Sequence, residues 1–415
     1  LVAAPLAAKF GATMNRRQLG ALALIAALFL FAVFSSGCST AQPEKDYWRE
    51  LPPGTHALRK ITDPKEIPDF TKALADPTRL DEACANSLNY LGKPSAGQFF
   101  PVSGISHEQA TASLTEFRAL LQSGKTPEEM NAELRERFDV YTTVGFDDHG
   151  TVLFTGYYTP IFQASLTRTD RFKHPLYRLP PNHVKDPVTG ETKGLKRADD
   201  SIDPKYPSRT ELLYSGMLEG LELVWLADPV EAYVVQVQGS AVLELTDGKR
   251  MEVGYAGTNG AEYKSLGLEM VKRGMLKREE LNLKTIMRYF RAHPDKFREI
   301  ESANPRFIFF QESKGGPFGS LNEQVIPMRS LATDKSIFPR GALVFVDVTL
   351  SARGQQERIE RFICDQDTGG GIRAPGRCDL YWGTGPKAEN AAGRTFNEGR
   401  MYWLILKDRA QSVER

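Results

Sequence analysis

Alternating apolar and polar residues, the pattern of half-buried β-strands, fill two long and separate parts of this sequence. The first part holds "TVLFTGYYTPIFQASLTR" from Thr151 and "EAYVVQVQGSAVLELTDGKRMEVGYAG" from Glu231. The second part, after Gly341, holds "ALVFVDVTL", "ERIERFIC", "RCDLYW" and "GRMYWLILK". The length of 415 residues exceeds the ~250 to 300 at which a single core stops growing. We therefore predict a mostly-β fold with two β domains, because a parallel α/β sheet would need regular alternation of strands and helices.

Helical segments are marked by their caps. Residues 106–109 and 126–129 each have the capping-box pattern, in which Ser or Thr precedes Gln or Glu by three positions. A third helical pattern runs from Glu262 to about Ile300 and separates the two strand-rich parts. These segments predict helices that are satellites of the strands.

Composition argues against several classes of protein. The 53 Lys and Arg residues balance 52 Asp and Glu residues, so a nucleic-acid partner is disfavoured. The histidines are scattered and no cysteine spacing is C-x-x-C, so a zinc site is not supported. Cys364 and Cys378 flank a glycine-rich loop, where they either form a disulfide or are small buried apolar residues, and Cys84 is left without a predicted partner.

The start of the sequence differs from the rest. Arg16 and Arg17 precede the apolar run "LGALALIAALFLFAVF" and then "SSGCST". A basic region, an apolar region and small residues in this order predict a signal peptide over residues 1–37. Its end resembles a bacterial lipobox, in which the first mature residue, here Cys38, is lipidated. An uncleaved membrane anchor and ordinary signal cleavage are the alternatives. Residues 38–60 are predicted to form a lipid-anchored tether.

The loop "DQDTGGGIRAPGRCDLYWGTG", residues 365–385, has four interpretations. "GTGPKA" fits a dinucleotide motif, but too little chain follows it, and we interpret it as a turn. The aspartates lack the spacing of a calcium loop. "DTG" is the short signature of aspartic proteases but occurs once, which leaves a protease as a minor alternative. In "RCDLYW" alternate side chains point to opposite faces, which places Asp379 between Arg377 and Tyr381 on a polar, aromatic surface suited to sugar chemistry.

A row of polar side chains in the first strand-rich part is a candidate ligand surface. If "VVQVQGS" is a strand, Gln236, Gln238 and Ser240 share one face, and Val235 and Val237 the other. This polar face is either solvated or a row of amides and hydroxyls that contacts a ligand.

Several longer stretches, read together, resemble the membrane-bound lytic murein transglycosylase A family. They include "TGYYTP", "VQVQGSAVLELTDG", "GYAGTNGAEYKSLG", "NPRFIFF" and "IPMRSLATDKSIFPRGALVFV". The last segment and the loop after it resemble a three-aspartate domain, whose aspartates fall here on Asp334, Asp367 and Asp379.

The resemblance implies a fold and a domain arrangement. The family's fold is a double-psi β-barrel with an inserted second β domain, and a groove for a glycan strand runs between them. The implied barrel domain is discontinuous, built from residues 61–155 and 307–412. The implied inserted domain covers residues 156–306.

The resemblance also implies a reaction and its residues. The reaction is cleavage of the β-1,4 bond between N-acetylmuramic acid and N-acetylglucosamine in peptidoglycan, which leaves a 1,6-anhydro ring. A single carboxyl group acts as acid and then base, and this role falls on Asp379, with Asp367 in support. Side chains predicted to bind the glycan are Thr155, Tyr157, Tyr158, Gln236, Gln238 and Ser240. No cofactor is implied.

The family also suggests a location: an outer-membrane lipoprotein that faces the periplasm, bound to the membrane through Cys38. Partner cell-wall synthases are not identified by the sequence. A non-catalytic peptidoglycan-binding lipoprotein is the main alternative function.

Overall fold

The computed structural model describes residues 45–187, 189–277, 280–352 and 355–408, so the predicted signal peptide and Cys38 lie outside the described residues. Its strands are β1 (Leu58–Lys60), β2 (Phe138–Thr143), β3 (Val152–Thr159), β4 (Ile161–Ser165), β5 (His174–Tyr177), β6 (His183–Lys185), β7 (Thr192–Lys196), β8 (Ile202–Asp203), β9 (Glu222–Leu226), β10 (Ser240–Leu245), β11 (Arg250–Thr258), β12 (Ile308–Ser313), β13 (Ser330–Ala332), β14 (Leu343–Ala352), β15 (Gln355–Asp367), β16 (Arg377–Thr384) and β17 (Phe396–Leu406). Its helices are α1 (Thr71–Leu74), α2 (Leu80–Leu91), α3 (His107–Leu121), α4 (Pro127–Arg137), α5 (Arg209–Tyr214), α6 (Pro229–Gln238), α7 (Leu266–Lys272), α8 (Leu283–Ala292), α9 (Pro294–Glu301) and α10 (Pro386–Ala392).

Six strands close into a barrel. Around the ring, β17 pairs with β14, β14 with β15, β15 with β13, β13 with β16, β16 with β3, and β3 again with β17. The β13–β15 and β16–β3 pairs are parallel, and the others are antiparallel. Strands β2 and β1 extend the sheet from β17. The barrel therefore combines strands that lie far apart in the sequence.

Apolar side chains fill the barrel and also coat part of its outside. The interior cluster includes Phe154, Cys378 and Leu380, all with no exposed surface. Helices α1 to α4 pack on the outer surface, where Phe117 contacts Phe362 at 4.8 Å between ring centroids. Successive side chains of a strand point to opposite faces of the sheet. The apolar layer inside the barrel and the apolar layer under the helices therefore fix which residues of each strand point inward and which point outward.

A second sheet is built from the middle of the chain, in the order β12-β11-β10-β4-β9-β5, with β6, β7 and β8 forming a small third sheet. The turn at Asp247 and Gly248 joins β10 to β11. The mostly-β fold class with two strand-rich parts and satellite helices is confirmed. The predicted domain boundaries stay a prediction, and β12, residues 308–313, pairs with the second sheet.

Both predicted capping boxes are present. Ser106 accepts a hydrogen bond from the Gln109 amide at the start of α3, and Thr126 accepts one from the Glu129 amide at the start of α4. The helical pattern from Glu262 to Ile300 becomes α7, α8 and α9. Among the described residues, no helix has both the length and the apolar content required to span a bilayer.

One predicted strand is wrong. Residues 229–238 form helix α6, not the beginning of a strand, so Gln236, Gln238 and Ser240 do not share a strand face. Asp228 caps the helix, Pro229 occupies its first turn, and Gly239 ends it at a positive φ of 78°. The helix is buried on two sides, by the second sheet and by α8 and α9, so apolar residues surround it and obscure the 3.6-residue period.

The positions of the cysteines decide between a disulfide and small buried apolar residues, the two alternatives that the sequence left open. Cys364 and Cys378 are free and buried in different apolar clusters, so they do not pair with each other. The Sγ atom of Cys364 lies 4.0 Å from that of Cys84, on helix α2. These residues behave as small apolar side chains.

Candidate active site

Asp379 stands on β16 between two neighbouring strands. Its register partners are Ala332 on β13 and Thr155 on β3. Because Cys378 and Leu380 point into the barrel, Asp379 points to the outer face, as the alternation in the sequence predicted. One fifth of its side-chain surface remains exposed, so a ligand can reach the carboxyl group.

Thr155 and Arg377 hold the Asp379 carboxyl group from one side. The Thr155 hydroxyl donates a hydrogen bond to Oδ1 of Asp379. The Arg377 guanidinium donates to Oγ1 of Thr155 at 3.0 Å and lies 3.7 Å from Oδ1 of Asp379. Thr155 therefore contacts the candidate acid itself.

The surroundings keep Asp379 protonated at unusually high pH. Burial is the main cause that raises the pKa of Asp379 to about 6, and the negative charge of Asp367 acts in the same direction. The positive charge of Arg377 opposes both. A carboxyl group with this pKa can be protonated in one step of a reaction and ionised in the next near neutral pH.

Asp367 is held by the backbone rather than by a cation. Its Oδ1 accepts hydrogen bonds from the amides of Ser320 and Thr368, each at 2.8 Å. Burial raises the pKa of Asp367, while these amides and the Tyr157 hydroxyl lower it. The arrangement fixes the loop after β15 beside Asp379, which fits the supporting role that the resemblance implies.

The glycines of this loop allow an aromatic side chain from the middle of the chain to approach. Tyr263 lies between β11 and α7, and a Cβ atom added to Gly370 would come within 2.8 Å of its Cβ. Burial raises the pKa of Tyr263, and the charge of Asp379 contributes in the same direction. Tyr263 is therefore a neighbour of the acid that the sequence did not single out, although it lies within the matching stretch "GYAGTNGAEYKSLG".

The two predicted tyrosines have different surroundings. Tyr157 is on the same face of β3 as Thr155, and its ring centroid lies 5.0 Å from that of Tyr381. Tyr158 points the other way and packs against Ala388 and Ala392 of α10. The structure therefore brings Tyr157 to the carboxylates and places Tyr158 in an apolar cluster.

The three predicted polar residues of the second part lie at different depths. Gln236 is buried on α6, where its side-chain oxygen accepts from Nη2 of Arg209 at 2.9 Å and from the amide of Ile308 at 3.3 Å. Gln238 accepts from the amide of Tyr158 at 3.1 Å. Ser240 begins β10 and is half-buried. Gln238 thus binds the backbone of β3, whereas Gln236 binds the backbone of β12.

The first aspartate of the three-aspartate pattern secures a turn. Asp334 accepts hydrogen bonds from the amide of Ser336 at 3.0 Å and from the amide of Ala374 at 3.1 Å. It ties the loop before β16 to the segment after β13. The described residues contain no group of three or more His, Cys, Asp or Glu side chains placed to hold a metal ion.

Comparisons with known proteins give the same picture. The sequence profile of the MltA specific insert domain matches residues 153–311, and that of the 3D domain matches residues 329–405. The membrane-bound lytic murein transglycosylase A of Escherichia coli K12 is 31% identical over 283 residues, which cover 66% of this chain and 71% of that protein.

Solved structures share the fold. The crystal structure of a membrane-bound lytic murein transglycosylase from Agrobacterium tumefaciens has a TM-score of 0.71 at 24% identity, and the match covers 86% of this chain and 99% of that one. The crystal structure of E. coli MltA with bound chitohexaose has a TM-score of 0.64 at 24% identity, covering 88% and 97% of the two chains.

Fold and site together define a class: a double-psi β-barrel with an inserted β domain and a partly buried carboxyl group on the outer face of the barrel. Within this class, the chain belongs to the membrane-bound lytic murein transglycosylase A family.

Proposed function

We propose that this chain is a peptidoglycan lytic transglycosylase in which Asp379 is the single acid and base. Protonated Asp379 donates its proton to the oxygen that bridges N-acetylmuramic acid and N-acetylglucosamine. The ionised carboxylate then accepts the proton of the C6 hydroxyl as that oxygen attacks C1. The glycosidic bond breaks, the 1,6-anhydro ring forms, and no water is consumed. Because the nucleophile belongs to the same sugar, its effective concentration is high and a second carboxylate is not required.

The observation that carries this proposal is the state of Asp379. It is accessible to a ligand, accepts a hydrogen bond from Thr155, and has a pKa raised to about 6. Asp367 supports it by holding the loop after β15. We propose Thr155, Tyr157, Gln238 and Ser240 as glycan-facing or glycan-adjacent residues, while Tyr158 and Gln236 act through the packing of the groove walls.

The first test identifies the product. The purified full chain is incubated with murein in water enriched in ¹⁸O, and the soluble fragments are analysed by mass spectrometry. We expect fragments that are one water lighter than hydrolysis products and carry no ¹⁸O, because the reaction takes its nucleophile from the sugar. A hydrolytic muramidase on the same murein serves as the control and incorporates the label.

Each other outcome indicates a different function. Labelled fragments with reducing ends would indicate a glycoside hydrolase, for which a second carboxylate would be required. Cleaved peptide stems with intact glycan would indicate the aspartic-type protease. Murein that is bound but never cut would indicate the non-catalytic peptidoglycan-binding lipoprotein.

The second test follows the pH dependence of the reaction. We expect kcat/KM to decrease above pH about 6, by about tenfold per pH unit, because the protonated form of Asp379 is required to begin the reaction. The measurement is the rate of anhydro-product release between pH 4.5 and 8.5, with binding of the glycan followed in parallel. A rate that stays constant up to pH 8 would contradict the role of Asp379 as the acid.

We also propose the location of the protein. A signal peptide over residues 1–37 and lipidation of Cys38 are consistent with the "membrane-bound" relatives, and an outer-membrane lipoprotein facing the periplasm fits the sequence after Cys38. The peptidoglycan glycan strand is the proposed partner. Labelling with a radioactive fatty acid, abolished in Cys38→Ser, tests the anchor.

A further inference from the structure

The Arg377 guanidinium is held in an unusual way for a buried cation. Its side chain is only 10% exposed, and within the described part of the chain its Nε atom has no hydrogen-bond partner. Nη2 donates to Thr155 and lies near Asp379. These contacts do not fix the plane of the guanidinium, which includes Nε and can turn about the Cδ–Nε bond.

An aromatic ring from the beginning of the described chain supplies the missing support. The guanidinium carbon of Arg377 lies 4.8 Å from the centroid of the Trp48 indole ring, within the range of a cation–π contact. Trp48 lies within residues 38–60, the segment that the sequence analysis predicts as the tether. A segment that is distant in the sequence therefore contacts Asp379 indirectly, through the side chain of Arg377.

The two neighbours of Trp48 fasten this segment to the barrel. Arg49 makes a two-pronged contact with the carboxylate of Asp148, at 2.9 and 2.6 Å. Tyr47 packs edge-on against Phe146 at 4.7 Å between ring centroids, and its hydroxyl donates to Glu398 at 2.6 Å. The position of the indole ring is thus set from both sides.

The loop that receives this segment also contacts the strand of the acid. A Cβ atom added to Gly376 would lie 2.7 Å from the Cβ of Phe146, so the backbone just before Arg377 is pressed against the same loop. Phe146 therefore contacts both Tyr47 and the backbone next to Arg377, so the segment of Trp48 and the strand of Asp379 are packed on the same loop.

We propose that Trp48 is a positioning residue of the active site: its indole ring holds the Arg377 guanidinium against Thr155 and Asp379. The part of the predicted tether around Trp48 is then a working part of the enzyme. The inference rests on the proposed role of Asp379. It does not depend on how the chain is anchored.

The test compares Trp48→Ala, which removes the ring, with Trp48→Phe, which keeps an aromatic face. For Trp48→Ala we expect kcat to decrease about tenfold with KM changed less than about twofold, because the acid is misplaced and not the glycan. The basic limb of the kcat/KM profile should move up by about half a pH unit, since a mobile Arg377 lowers the pKa of Asp379 less. Trp48→Phe should remain within about twofold of wild type.

Other charged or titratable neighbours of Asp379 are unchanged in these variants. They are Asp367, Tyr157, Tyr263 and Cys378. A shift of the limb is therefore assigned to Arg377. Tyr214→Ala is the matched control, because it removes a ring 3.9 Å from the Arg298 guanidinium, outside the candidate site, and should leave the profile in place.

Two further measurements separate positioning from a loss of folding. In an Arg377→Met background, Trp48→Ala should have no further effect on kcat, since the group it acts through is gone. The titration of the Asp379 carboxyl, followed by ¹³C NMR, should shift in Trp48→Ala even if Asp379→Asn proves active and the proposed catalytic role fails. An unchanged titration and an unchanged pH profile in a folded Trp48→Ala protein would overturn the inference, as would an equal loss in the Arg377→Met background.

Discussion

Asp379→Asn is expected to release soluble fragments from murein about 10³-fold more slowly than the wild-type chain while it still binds the glycan. The amide has nearly the same shape as the carboxyl group and can still accept the hydrogen bond from Thr155. It cannot donate a proton to the bridging oxygen or take one from the C6 hydroxyl. Both halves of the proposed reaction therefore fail together.

The control for this variant is the same chemical change at a remote aspartate. Asp347 lies on β14, where its carboxylate pairs with Arg358 at 2.7 Å. Asp347→Asn should change the rate by less than about twofold, since exposed ion pairs contribute little. Anhydro-product release and murein binding are measured side by side. A fully active Asp379→Asn protein would remove Asp379 from the mechanism.

Stability should change in the opposite direction to activity. A carboxyl group with a raised pKa in the folded state binds its proton more tightly there than in the unfolded chain, so the folded state loses stability as pH increases from about 4 to about 6. Asn removes this cost. Above pH 6 we expect Asp379→Asn to be more stable than wild type by about 1 to 3 kcal/mol, with the difference vanishing below pH 4.

This pairing of effects is informative because it separates a catalytic residue from a merely structural one. If Asp379 served only to hold Thr155 and Arg377, its removal would lower stability at every pH. A variant that is less active and more stable has instead lost a carboxyl group that is costly to ionise in the folded state and that is kept for activity. The same contrast cannot be drawn for Asp334, whose carboxylate binds backbone amides and secures a turn.

Much of the site could be predicted because it depends on short-range pattern. Alternation along "RCDLYW" placed Asp379 on the outward face, and capping boxes located α3 and α4. These signals are local, and tertiary structure did not override them. The secondary structure of the first strand-rich part was harder to predict. Helix α6 is buried on two sides, and its apolar and polar residues alternate by coincidence. The caps of this helix, Asp228 and Gly239, are the sequence signal that distinguishes it from a strand.

The contacts around Asp379 could not have been derived from the residues alone. Thr155 reaches it through the parallel β3–β16 pair, and Trp48 reaches Arg377 from near the other end of the chain. No local pattern encodes such pairings. The resemblance to a family predicted that Thr155 contacts the glycan, which stays a prediction, and the structure adds a hydrogen bond from Thr155 to Asp379.

A second large effect is expected from a buried ion pair behind the loop of Asp367. Lys335 and Asp365 form this pair, with side chains 4% and 0% exposed, and Thr333 donates to Asp365 at 2.7 Å. Burial raises the pKa of Asp365 and lowers that of Lys335, and each partner opposes the shift of the other. Lys335→Met should reduce the free energy of unfolding by about 3 to 5 kcal/mol, because it leaves a buried carboxylate without its cation.

Two measurements test this explanation: the pH dependence of the stability loss, and the stability of a double variant that lacks both charges. A lone Asp365 has a raised pKa in the folded state, so the deficit of Lys335→Met should shrink as pH falls and the carboxyl group takes up a proton. Lys335→Met combined with Asp365→Leu should recover most of the lost stability, since no unpaired charge remains. Urea unfolding at pH 8 and at pH 5 measures both effects.

The matched control is the same substitution at an exposed pair. Lys72 contacts Glu360 at 2.9 Å, but its side chain is 65% exposed, so Lys72→Met should cost less than about 1 kcal/mol. Equal losses in Lys335→Met and Lys72→Met would mean that the buried pair has no special weight. Failure of the double variant to recover would mean that Lys335 acts through packing and not through charge. If both expectations hold, the ion pair stabilises the segment of Thr333, and this segment also binds the loop after β15, because the Thr333 carbonyl oxygen accepts a hydrogen bond from the Thr368 hydroxyl.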